Sequence, residues 1–161
     1  SPDPSSRRRS PPVGGNNYER TGGQMPKPAT ATRWNALREW LDAALPALNL
    51  SHWVVNVAED ASDVDAWADI EAHQQNQTAE LRVSHDFWRQ TPERQRVILT
   101  HELVHLITCR HDQVVESLAE PLGKIAWAVF EPQHDDAAER AVEAIAQIIA
   151  PTLDLPAFPK V

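Results

Sequence analysis

The chain is predicted to be an α+β protein with one folded domain. A small, mainly antiparallel three-stranded sheet packs against a long apolar helix, with further helices behind it. Three observations predict this. Apolar and polar residues alternate in three short stretches between Trp53 and Ser84, which is the period of a half-buried strand. Thr91-Pro92-Glu93 then opens a segment carrying Val97, Ile98, Leu99, Leu103, Val104, Leu106 and Ile107, apolar around most of a helix. From there to Ile149 the apolar spacing stays helical.

The elements follow in order. Residues 1–31 are rich in Pro, Ser, Gly, Asn and Arg and almost free of apolar side chains, so they cannot offset the entropy of ordering and are expected to form a disordered arm. The folded domain is expected to be 32–161. Thr32 is placed to cap a first helix, with Trp34, Leu37, Leu41, Ala44, Leu45 and Leu48 on one side and Pro46 near its end. Trp53, Val55 and Val57 form the inner row of a first strand. Residues 67–73 and 79–84 alternate on either side of the polar Gln74–Gln77, a hairpin. The Thr91 hydroxyl, Pro92 and the acid at Glu93 start the long helix. A break is expected at Arg110–Asp112. A further helix should run to Phe130, kinked at Pro121 and Gly123, followed by an interruption at Glu131-Pro132 and a last helix over 135–149.

Charge and composition exclude several functions. The formal net charge is −8, with +3 in the first 32 residues and −11 in the rest. An acidic body argues against nucleic acid as a partner, and the Arg7–Arg9 run reads as part of a solvated arm. No apolar run is long enough for a membrane span and no signal-peptide h-region is visible, so a cytoplasmic protein with no membrane partner is expected. Cys109 is the only cysteine, which rules out an internal disulfide and reads as a buried small side chain. The six tryptophans read as core.

One motif carries chemistry. His101-Glu102-Leu103-Val104-His105 is an H-E-x-x-H string inside the apolar helix. Residues four apart share a helix face, with Cβ atoms about 5–6 Å apart, so two imidazoles there can grip one zinc ion. Glu102, next to His101, can take a proton from a metal-activated water and pass it to a leaving amine. Burying these polar groups among aliphatic neighbours without partners would cost several kcal/mol, roughly, and a metal removes that cost.

A third ligand must come from elsewhere. His111 lies six residues after His105, the spacing of the metzincin motif H-E-x-x-H-x-x-G-x-x-H. Thr108 replaces that family's glycine, however, and no methionine follows. Glu139 lies on the last helix with Glu143 one turn later, similar to the gluzincin arrangement. That resemblance implies Glu139 as ligand and a carboxylate one turn on that orients a zinc-bound histidine. Glu139 is preferred to His111, with Glu116, Glu120 and Glu143 as lesser alternatives. His52, His73, His85 and His134 read as surface or turn histidines, although His111 or His134 could instead steady an oxyanion.

The chain thus resembles small gluzincin-like metallopeptidases of the ImmA/IrrE type and compact phage and bacterial relatives. Glu139 and Ile145-Ala146 match the late pattern E-x-x-x-x-x-[FI]-A, and the likeness spans Trp53 to Pro151. It implies a zincin-like fold and a zinc-dependent peptidase acting on a peptide or protein substrate. The ligands would be His101, His105 and Glu139, with Glu102 as general base. It also implies that the strand over 79–84 is an edge strand that pairs with substrate, bringing Leu81 and Val83 near the cleft. The alternative function is a non-catalytic zinc-binding regulatory or interaction module on the same fold.

Overall fold

The structure, a computed structural model, describes residues 29–59 and 65–160. The expected arm, with its arginine run, lies outside these residues up to position 28. Helix α1 spans Ala29–Ala47 and buries Trp34, Leu37, Trp40, Leu41, Ala44 and Leu45. It starts before Thr32, so Thr32 sits inside the helix and does not cap it. Pro46 falls in the last turn, and Asn49, at φ 58°, turns the chain out of the helix.

Strands β1 (Val54–Ala58), β2 (Ala68–His73) and β3 (Thr78–Val83) form one sheet in the order β1-β3-β2. The β2–β3 hairpin forms around Gln74–Gln77 as expected, pairing His73 with Thr78 and Asp69 with Arg82. Gln77 takes a positive φ of 54° to close it. The sheet is mixed, however, because β1 runs parallel to β3. This corrects two expectations. Alternating residues reveal a strand's two faces but not which neighbour it joins or in which direction. β3 is therefore the central strand and not an edge: Leu81 is fully buried and Val83 nearly so. The strand packed beside the long helix is β2.

Helix α2 spans Pro92–Glu116, and the Thr91 hydroxyl accepts a hydrogen bond from the Arg94 N–H at 3.2 Å. It does not break at Arg110–Asp112. No Gly or Pro stands there, and the Thr108 hydroxyl donates to Asp112 Oδ2 across the turn at 3.1 Å. The chain reverses at Ser117-Leu118 into α3 (Ala119–Ile149), where Gly123 (φ 73°, ψ 168°) interrupts the helical backbone. That φ is cheap for glycine and strained for other residues. The helix runs on through Pro132 despite its missing N–H. There the Gln133 side chain donates to the Val129 carbonyl at 2.7 Å, adding a bond across the weakened turn.

The main core joins α1, the inner faces of the strands, Phe87 and Trp88, and Ile98, Leu99, Leu103 and Leu106 of α2. Trp34, Trp40, Trp53 and Trp88 belong to it, whereas Trp67 is exposed. A second, smaller cluster, Val104 with Val142 and Ala146, is all that buries α3 against α2. Among the described residues, no helix is long and apolar enough to cross a membrane.

Candidate metal centre

The small cluster fixes the site. On α2, His101, Val104 and His105 share a face; on α3, Glu139, Val142, Glu143 and Ala146 do. Packing Val142 and Ala146 onto Val104 therefore brings both glutamates to the two histidines.

His101 Nε2 lies 3.2 Å from His105 Nε2, 3.3 Å from Glu139 Oε2, and His105 Nε2 lies 3.3 Å from Glu139 Oε1. The two Glu139 distances run to different carboxylate oxygens; with one ligand atom from each residue, the three donors lie within 4.8 Å of one another. Four ligands at zinc–nitrogen or zinc–oxygen lengths in a tetrahedron sit about 3.3–3.4 Å from one another. Two imidazole nitrogens and one carboxylate are also the donor types that a borderline divalent cation takes. The residues fit a metal by spacing and by chemistry.

Glu143 sets the orientation of His101. Its Oε2 lies 3.0 Å from His101 Nδ1, so with the proton on Nδ1 the Nε2 lone pair points into the triangle. Gln147 donates to Glu143 Oε1 at 2.8 Å. That bond first, and His101 after it, hold the Glu143 carboxyl below the usual carboxylate range. Burial, foremost, pushes the His105 imidazole down, which keeps its nitrogens free to bind a metal near neutral pH.

Glu102 is buried, and its carboxyl is pushed up to about 8. Desolvation is the main cause, followed by the negative charges of Asp69 and Glu139; a backbone hydrogen bond from Ile70 acts in the opposite direction. Without metal, the folded protein thus keeps a proton that the unfolded chain, with its ordinary value of 4.5, has released. Native Glu102 binds more protons across that window, so stability falls as pH rises from about 4.5 to about 8. Glu102→Gln is expected to stabilise the metal-free protein, by at most about 5 kcal/mol near pH 8 and by little near pH 5. Thermal unfolding of both proteins in chelator at the two pH values measures this.

Two openings flank Glu102. On one side is a cleft of about 220 Å³ lined by Ala66, Trp67, Ala68, Val97 and Ile98 with His101, Glu102 and Glu143. On the other, an acidic groove runs past Asp69, His105 and Glu139 to Asp112 and Glu116. Asp69 is held by Arg82 through two 2.8 Å hydrogen bonds, and Arg94 stacks over Trp67 at 4.3 Å.

Trp67, Asp69, Ile70 and Arg94 are not among the site residues expected from the sequence. The Asp69–Arg82 pair had a signal, since a loop of Gln74–Gln77 sets His73 opposite Thr78 and so Asp69 opposite Arg82. The structure brings His101, His105 and Glu139 together and places His111 elsewhere, beside Asp112 and His134. Glu116 lines the groove, Glu120 is exposed, and His52, His73 and His85 are in neither grouping. Cys109 is buried, and burial raises its thiol above the usual value. No family model, no curated protein and no solved structure matches the chain.

Proposed function

We propose that the protein is a zinc-dependent peptidase on a zincin-like fold, with His101, His105 and Glu139 as ligands and Glu102 as general base. The observation that carries this is the triangle of donors with a buried, unligated glutamate beside it. A structural zinc closes its shell with four protein ligands and has no use for such a base; three ligands leave a position open for chemistry. That supports the peptidase over the alternative, a zinc-binding regulatory module.

A zinc ion held there supplies Lewis acidity toward a peptide carbonyl and toward water. The chain's own residues do the rest. Glu143 keeps the His101 ring aimed inward. Glu102, whose proton affinity burial raises against the opposing Ile70 amide, accepts a proton from the attacking water and gives it to the departing amine. A cation beside Glu102 opposes the repulsion from Asp69 and Glu139 and lowers its proton affinity, making it a usable base near neutral pH. An extended substrate would add along β2, the strand beside α2, in place of the strand expected from the sequence. Its side chain would enter the cleft under Trp67.

Hydrolysis of an unfolded protein such as casein, followed by mass spectrometry, tests the proposal. Cleavage should appear with zinc, vanish with a chelator and return on adding zinc. Cleavage that persists in chelator sinks the reading.

A further inference from the structure

We propose that His111, Asp112 and His134 form a second, weaker site for a borderline divalent transition cation such as zinc, which staples the far end of the α2–α3 hairpin. Asp112 Oδ1 lies 3.7 Å from His111 Nδ1 and 3.8 Å from His134 Nε2, and the three donor atoms fall within 4.8 Å of one another. Thr108 donates to Asp112 Oδ2, which holds the carboxylate with Oδ1 toward the imidazoles. Phe130 stacks on the His134 ring, 5.9 Å between centroids and 9° from parallel, which fixes that ring too. Among the described residues, Asp112 has no lysine or arginine partner; its ion-pair neighbours are the two histidines. Two imidazoles and a carboxylate are again the donor set of zinc, nickel or copper.

The separations are wider than the about 3.3–3.4 Å of a closed tetrahedral shell, so binding requires the rings to close in. The His111 side chain is 71% exposed and free to swing. This accounts for lower affinity than at the His101 triangle.

A second observation says what the cation is for. The hairpin beyond the metal centre has almost no core. From Ala119 to Ala141 no residue of α3 is buried, and beyond Leu106 the only buried residue of α2 is Cys109. Ile125, Val129 and Val114 are exposed. A segment without apolar adhesive gains most from a cross-link, and this cation would tie α2 to α3 about two helical turns, about 10 Å, beyond His105.

Calorimetric titration of zinc chloride into the full-length protein stripped of metal with a strong chelator, with hydrogen exchange alongside, tests it. Wild type should show two events, the second at least about tenfold weaker than the first. His134→Ala and His111→Ala should each remove the weak event and keep the tight one. Glu139→Ala should do the reverse. Amides of 108–116 and 124–136 should gain protection with the second equivalent in wild type and not in His134→Ala. Saturation of wild type at one equivalent overturns the proposal, as does a weak event that survives in both histidine variants. If the tight event is absent but the weak one responds to both histidine variants, the second site stands and the peptidase reading falls.

Discussion

Glu102→Gln is expected to lower turnover on any cleaved peptide by about 10²–10⁴-fold while zinc content stays unchanged. Gln has nearly the shape of Glu and makes no demand on the triangle of His101, His105 and Glu139. It cannot accept the proton that Glu102 would take. Two outcomes at one position then separate chemistry from folding. The metal-free variant's stability advantage over wild type grows as pH rises, because wild type must charge a buried carboxylate and the variant need not. The zinc-loaded variant loses activity. A residue that costs stability and is kept buried beside polar partners fits a functional role better than a packing role. Full turnover by Glu102→Gln, measured as kcat/KM on a mapped cleavage site, contradicts the general-base role.

Glu143→Ala is expected to weaken zinc binding by about 10–100-fold. Glu143 touches none of the incoming ligand atoms; it acts through His101, whose Nδ1 it holds at 3.0 Å. Its loss frees the ring to rotate and removes the acceptor that fixes the proton on Nδ1. Glu143→Gln keeps an acceptor oxygen and should recover part of the loss, which a purely packing role would not reproduce. Competition against a chromogenic chelator gives the affinities. Equal affinity in all three proteins would show that Glu143 does not position His101.

Much of this arrangement is legible in the sequence where local rules govern. Thr91, Pro92 and Glu93 mark the start of α2 because caps and the helix dipole act within one turn. His101 and His105 share a face because the helix period dictates it. The hairpin follows from polar residues between two alternating runs. Where distant segments meet, local rules leave several partners open. β1 joins β3 in parallel, and nothing within Val54–Ala58 encodes that partner. Glu139 meets His105 because Val142 and Ala146 pack on Val104. The E-x-x-V-E pattern of α3 places the glutamates beside an apolar contact but does not name the helix they contact. His111, the less favoured third ligand, shows the converse. Its spacing from His105 suggested a shared metal, but α2 stays helical through Asp112 and carries that ring to His134 instead. Pro132 and Gly123 show that punctuation has degrees: the proline was absorbed into α3, and the glycine broke it.

Zinc content of the purified protein, after dialysis against a weak chelator, tests the central claim most directly. Wild type and His111→Ala should each retain about one zinc per chain, and Glu139→Ala should retain almost none. A zinc-free wild type would contradict the account, and so would zinc kept by Glu139→Ala and lost from His111→Ala.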